Sequence, residues 1–278
     1  MLIETIDALL NSLPGILGDK TLHDRAAARI QLHTSAPHED KPGIYRASSI
    51  GKPWIIQVLD RWYSRGEKQF TLDQQFKMLE GIVAQAWIEV VFDLSRLSFT
   101  SEEVHLRKVG GCQMEGHSDI ILTSPKELLV LEVKSMDSHV MKSFISAPND
   151  NFGYLSQLAF YTGCVAEANP AKKVGGAFLL CDRSRAKFTL LPIMSDNLKL
   201  RWDRIHSALE TVDSIPQFNI EALLETVIIP PTVNGKLPGG MNFTRWCDAL
   251  YIPEGAREYR VATNLEAARL IKGMTKKD

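Results

Sequence analysis

Two strand-like runs, Ser118-Asp-Ile-Ile-Leu-Thr123 and Leu128-Leu-Val-Leu-Glu-Val-Lys134, are separated only by Ser124-Pro-Lys-Glu127. A link this short joins antiparallel neighbours, because parallel strands need a crossover of a dozen or more residues. An antiparallel hairpin over 118–134 is therefore the firmest structural expectation in the chain. Alternate residues of a strand share a face. Leu129, Leu131 and Val133 form an apolar face fit to meet a helix layer, whereas Glu132 and Lys134 share the other face. Charged side chains in such a strand are rarely buried unless paired or bound to metal. Asp119, at the start of the first run, is expected opposite Glu132 to Lys134.

Around this hairpin the pattern predicts alternating helices and strands. Residues 1–35 read as helical, with Leu2, Ile6, Leu9 and Leu10 at helical spacing. Ala36 to Gly43, with Pro37 and Pro42, reads as a loop. A helix is expected from Ser48 through Tyr63, with Ser49 as a cap and Pro53 in its first turn. Residues 72–94 give the clearest helix: Ile82, Val83, Ala86, Trp87, Val90 and Val91 form a stripe expected to pack on a sheet. Gly81, Gln85 and Glu89 share the flank of that stripe.

Glu103 to Val109 alternates as a strand. Residues 135–152 read as polar and irregular, with Pro148 to Phe152 a flexible loop. A helix over 153–168, strands over 173–180 and 187–193 and a helix over 195–213 follow. Residues 226–241, rich in proline and glycine, read as low in structure. The expected organisation is an N-terminal helical extension (1–70), an α/β core (71–225) and a C-terminal extension packed on that core (226–278).

Composition narrows the function classes. Hydrophobic residues make up 45% of the 278 positions and charged residues 23%, which suits an ordinary globular core. The formal net charge is −1, so any binding of nucleic acid must rest on local charge. Basic residues cluster at Arg183, Arg185 and Lys187, and at Lys272, Lys276 and Lys277. No run approaches the ~20 apolar residues of a membrane span. The start, MLIETIDALL, lacks the basic region and long apolar stretch of a secretion signal. The four cysteines include no CxxC pair, so a zinc ribbon is not expected. A cytoplasmic protein with free thiols follows.

The chemistry of Asp119, Glu132 and Lys134 points to a divalent cation. Mg²⁺ takes oxygen ligands and keeps several waters. Two carboxylates can hold it, and a backbone carbonyl such as that of Val133 can add a ligand. Bound metal lowers the pKa of a water and neutralises phosphate charge, and Lys134 can position the nucleophile or stabilise the transition state. The bland alternative is a cross-strand ion pair at the surface. His117, two residues before Asp119, shares its face and is either a structural hydrogen-bonding group or a substrate contact. His105 and His206 have no partner visible in the sequence. Phe144, Phe152 and Tyr154 are either packing residues or platforms for bases.

These motifs in this order resemble the PD-(D/E)XK nuclease superfamily, in its RecB-type and phage exonuclease branch. Gly116-x-x-Asp119 resembles its second motif, Glu132-Val-Lys134 its third, and Gln157-Leu-Ala-Phe-Tyr161 its Q-x-x-x-Y element. The family's Gly-x-x-x-His helix motif reads here Gly81-Ile-Val-Ala-Gln85, with Glu89 one turn on. The resemblance covers 81–161. It implies a restriction-endonuclease-like α/β core with a mixed central sheet flanked by helices. It also implies Mg²⁺- or Mn²⁺-dependent DNA cleavage with one or two ions, favouring an exonuclease in recombination, repair or phage replication.

Carried over, Asp119 and Glu132 are metal ligands, with Gln85 or Glu89 completing the site, and Lys134 is the catalytic lysine. Gln157 and Tyr161 orient that lysine and contact DNA, with His117 and Ser135 as further DNA contacts. A single-strand-annealing or other recombination protein is an implied partner. Glutamine in place of the motif histidine puts the helix side of the metal site in doubt. Some relatives carry an iron–sulfur cluster on four cysteines; the cysteines here stand at other places, and no cluster is expected. An endonuclease on the same core and a non-catalytic DNA-binding or assembly component remain the rival readings, and oligomeric state stays open.

Overall fold

The computed structural model describes residues 2–16, 21–35, 44–50, 53–62, 72–109, 112–150, 153–185, 187–214, 220–238, 241, 246–255 and 258–275. Two N-terminal helices, α1 (Leu2–Ile16) and α2 (Leu22–Ser35), precede a short strand β1 (Ile44–Arg46), a 3₁₀ turn at 47–49 and α3 (Trp54–Trp62). The long helix α4 (Leu72–Leu94) leads into β2 (Phe99–Val109), β3 (Cys112–Thr123) and β4 (Glu127–Met136). Then come α5 (Ser138–Ser146), α6 (Tyr154–Ala168), β5 (Lys173–Asp182), β6 (Lys187–Ile193), α7 (Ser195–Ser214) and α8 (Ile220–Thr226). The C-terminal part carries α9 (Cys247–Leu250), the β7 (Tyr251–Pro253)–β8 (Tyr259–Val261) hairpin and α10 (Asn264–Thr275). None of the described helices is long and apolar enough to cross a membrane.

The architecture is the mixed central sheet flanked by helices, with N-terminal helical segments, that the sequence predicts. Its order is β1-β3-β4-β5-β6, with β2 on the other edge of β3. The β3–β4 hairpin is antiparallel with Ile120 opposite Leu131, and β4 runs parallel to β5 across the α6 crossover. The alternation along β4 divides two layers. Leu129, Leu131 and Val133 pack with Ala84, Ile88, Val91 and Phe92 of α4. Leu128, Val130 and Met136 join Leu155, Leu158 and Ala159 of α6 in a larger cluster that continues to Trp246, Tyr251 and Ile271. A wholly apolar β4 would satisfy both layers, so the charged pair Glu132 and Lys134 is conspicuous.

Several expectations need correction. Residues 135–152 are not irregular throughout: 138–146 form α5, whose Met141 and Phe144 are buried. Phe144 is thus a packing residue, edge-on to Tyr154 and Phe178, while Phe152 lies outside the described residues. Asp150, within the expected flexible loop, accepts from the Ser156 backbone N–H at 3.1 Å and pairs with Arg201 of α7 at 2.8 Å. Those bonds tie the segment to two helices. Ser49 is buried in the 3₁₀ turn, α3 begins only at Trp54, and the Pro53 carbonyl accepts the first helical N–H bonds.

The apolar stripe of α4 is divided between two partners. Ala84, Ile88, Val91 and Phe92 face the sheet, whereas Val90 and Trp87 pack with Leu22 and Ala26 of α2. A helix covered on two sides needs a wider apolar surface than a single stripe. The expected loop at 36–43, Tyr63, Lys276, Lys277 and the glycines at 239–240 lie outside the described residues.

Candidate active site

β3 is the strand on which the site is built. β2 pairs along one edge of it, from Val109 opposite Cys112 to Phe99 opposite Leu122. The other edge is shared: β1 covers 113–115 in parallel, and β4 covers 120–123 in antiparallel register. Neither reaches residues 116–119, so the sheet forks at Gly116-His-Ser-Asp119. Where the β3–β4 ladder stops, the Asp119 side chain takes over its role: the Val133 N–H donates to Asp119 Oδ2 at 2.7 Å. This bond fixes the carboxylate at the mouth of the fork.

Glu132 is completely buried, and its Oε2 accepts from Lys134 Nζ at 2.5 Å. The same Nζ lies 3.9 Å from Asp119 Oδ2. The structure therefore brings the predicted triad together, with two carboxylates about one ammonium. Burial opposes the charged lysine, but Glu132 and Asp119 outweigh it and hold the Lys134 pKa above the ordinary lysine range. The Tyr154 ring, at the first position of α6, lies 5.4 Å from Nζ. A cation over an aromatic face is stabilised by the ring quadrupole. Tyr154 thus belongs beside the lysine, a placement that the Q-x-x-x-Y spacing did not single out although Tyr154 stands one turn before Gln157.

Gln157 donates to the Tyr161 hydroxyl at 3.2 Å, as their four-residue spacing allows. Tyr161 is buried against the fork, and this explains the glycine of the Gly116 motif. A Cβ at position 116 would stand 2.7 Å from Tyr161 Cε1 and would also collide with Ala47. The Tyr161 ring also meets His105, 5.5 Å away. His105 does have a partner: its Nε2 lies 3.0 Å from Ser118 Oγ, both groups buried. That pairing crosses from β2 to β3 and is invisible until the register is known. His206 likewise packs edge-on to Trp202 at 4.4 Å.

The remaining predicted residues stand apart from the triad or at its rim. His117 is about half exposed, 3.8 Å from Glu115. Ser135 is half-buried on β4 next to Lys134. Gln85 donates to Glu89 at 3.2 Å. Glu89 is completely buried and turned to α2, with His33 Nε2 at 3.2 Å and Arg29 Nη1 at 3.5 Å. Arg183, of the predicted basic cluster, is engaged by Glu80 and Asp137.

Among the described residues, no three His, Cys, Asp or Glu side chains gather closely enough to hold a metal ion by themselves. The donor set at the fork is two carboxylates already converging on one positive charge. Hard oxygen ligands of this kind suit Mg²⁺ or Mn²⁺, which keep waters in the rest of their shell.

No family model matches the chain, and no curated protein matches it in sequence. Solved structures align distantly. The crystal structure of SSO0001 is 14% identical, covering 75% of this chain and 94% of its own, with a TM-score of 0.40. LHK-Exo in complex with dAMP is 12% identical over 69% of this chain and 93% of its own, with a TM-score of 0.43. A putative exonuclease from Eubacterium rectale is 11% identical over 73% and 93%, with a TM-score of 0.40.

Proposed function

We propose that the chain is a metal-dependent deoxyribonuclease, an exonuclease in preference to an endonuclease, with its active site at the β3–β4 fork. The observation that carries this reading is the convergence of Asp119 and buried Glu132 on Lys134. A structural ion pair needs one acid and one base, and a second carboxylate beside the pair leaves the group net negative. Burying such a set is unfavourable. It becomes sensible where a further cation is expected.

In this reading Asp119 and Glu132 would hold Mg²⁺ or Mn²⁺, with the Val133 carbonyl as a third oxygen. When bound, the ion supplies an activated water and neutralises charge on the scissile phosphate. The Val133 N–H keeps Asp119 turned into the site. The Lys134 ammonium donates to a phosphate oxygen and stabilises the charge that builds there during in-line attack. Tyr154 flanks the lysine, and the Gln157–Tyr161 pair braces the fork from α6. His117, half exposed on β3, would meet the DNA backbone, whereas the Ser135 hydroxyl is buried on the strand face opposite Lys134. In this reading Glu89 is a structural charge held by Arg29 and His33 of α2, with Gln85 donating to it.

Digestion of end-labelled linear duplex, single-stranded and closed circular DNA with Mg²⁺ or Mn²⁺ tests the proposal, beside Asp119→Ala and Lys134→Ala. Loss of linear DNA alone, abolished in both variants, is the expected result. Cutting of the circle would move the reading to an endonuclease. Cleavage that survives in both variants would remove the site from the chemistry.

A further inference from the structure

The Lys134 ammonium lies between neighbours of two kinds. Glu132 Oε2 at 2.5 Å and Asp119 Oδ2 at 3.9 Å are carboxylate oxygens. Opposed to them in kind is the Tyr154 ring, whose centroid lies 5.4 Å from Nζ. On the reading proposed above, the carboxylates are needed for a divalent ion and the ammonium for the phosphate. A lysine locked onto Glu132 serves neither purpose. Once the carboxylates turn to the ion, they attract the ammonium less, and the like charge beside it repels it. The ammonium then needs an attractive surface close by that takes no oxygen from the ion.

The face of the Tyr154 ring is such a surface. It attracts a cation through the ring quadrupole, whereas a hard divalent ion takes oxygen ligands. It also leaves ammonium N–H groups free to donate elsewhere. The ring is braced. Tyr154 is the first residue of α6, which the chain enters through Gly153 in the left-handed conformation (φ 75°). Its ring stands edge-on to buried Phe144 at 6.2 Å, and Phe144 is itself edge-on to Phe178 at 5.3 Å. Asp150 accepts from the Ser156 backbone N–H and pairs with Arg201, which anchors the same turn to α6 and α7. Leucine at 154 would cover the lysine stem and Phe144 as well as tyrosine does; the cation is what calls for an aromatic face.

We propose that Tyr154 is a positioning residue of this site: its ring face receives the Lys134 ammonium when Asp119 and Glu132 are engaged by a divalent ion, and holds it within reach of the scissile phosphate. This role rests on the nuclease reading. It requires the ring and not the hydroxyl, and it acts on the chemical step more than on the binding of DNA.

Steady-state cleavage of linear DNA with Mg²⁺ tests the role, on Tyr154→Leu, Tyr154→Phe and a series with one, two and three fluorines on a phenylalanine ring at 154. Tyr154→Leu is expected to lower kcat about tenfold with KM little changed. Tyr154→Phe should restore most of that loss. Fluorination keeps the shape of the ring and drains its face of negative potential, so kcat should fall stepwise with each fluorine. A second reading needs no turnover. In chelator, the Lys134 ε-methylene resonance, assigned by its absence from Lys134→Met, should lie at higher field in the wild type than in Tyr154→Leu, because a ring face shields what stands over it. Full kcat in Tyr154→Leu, no recovery in Tyr154→Phe, a flat fluorine series or an unmoved methylene resonance would each overturn this role while leaving the nuclease reading intact. A wild-type chain that cleaves no DNA would overturn the nuclease reading and this role with it.

Discussion

Two glutamates, Glu132 and Glu89, are completely buried, and their surroundings differ. Glu89 sits between α2 and α4 with nitrogen groups about it: Arg29, His33 and Gln85. Glu132 sits where the sheet forks, and the ammonium that meets it also faces a second carboxylate, Asp119. The first arrangement gathers donors around an acid, as a structural buried charge requires. The second gathers acids around a cation. Burial alone therefore does not separate the two carboxylates; the sign of what surrounds them does.

The largest expected effect separates the two sites by activity. Asp119→Asn or Glu132→Gln should lower the rate of DNA cleavage at least about 10³-fold, since several kcal/mol of charge stabilisation are lost with a metal ligand. Asp119 lies 3.9 Å from the lysine, so Asp119→Asn should move thermal unfolding in chelator little, whereas Glu132→Gln also removes the counter-charge in contact with a buried ammonium and should lower it. Glu89→Gln should lower stability without lowering activity. Its amide NH₂ would be set among Arg29, His33 and Gln85, where only acceptors are useful, at a cost of roughly 2 kcal/mol. Its activity per folded molecule should stay near that of the wild type. A large loss of activity without loss of stability at Glu89 would make it a ligand, as the resemblance to RecB-type nucleases implies, and would erase the contrast.

A smaller effect tests how the fork is held. Gly116→Ala must push Tyr161 and Ala47 away from β3. Overpacking of this kind costs about 1–3 kcal/mol, read as a lower denaturation midpoint with an unchanged slope. An unchanged midpoint would mean that α6 does not press on the fork.

The smallest effect is in pH. Lys134 has a pKa raised in the folded state despite its burial, by Glu132 and Asp119. A raised pKa stabilises the fold fully below the unfolded lysine value, and that contribution fades as pH rises through the folded one. In chelator, the Lys134 contribution should be flat from neutral pH to about 10 and decline only beyond. Lys134→Met should remove that alkaline decline. A lysine-dependent loss of stability between pH 7 and 9 would contradict the ion triad.

The hairpin was legible in the sequence because Ser124-Pro-Lys-Glu127 leaves the chain no other way to connect two strands. The alternation then fixed which residues share a face, so Asp119, Glu132 and Lys134 could be named together. The fork was not legible, because β1 comes from far upstream and its register on β3 is a tertiary fact. For the same reason the His105–Ser118 bond and the place of Tyr154 escaped. Helix α5 was missed because it is nine residues long, rich in serine, and held by two buried side chains, Met141 and Phe144. Short helices depend on packing more than on propensity.

The most direct measurement is a Mn²⁺ titration followed by electron paramagnetic resonance on wild type, Glu132→Gln and Glu89→Gln. The account predicts that Glu132→Gln loses binding seen in the wild type and that Glu89→Gln retains it. Equal binding by wild type and Glu132→Gln, or loss confined to Glu89→Gln, would contradict a metal site at the β3–β4 fork.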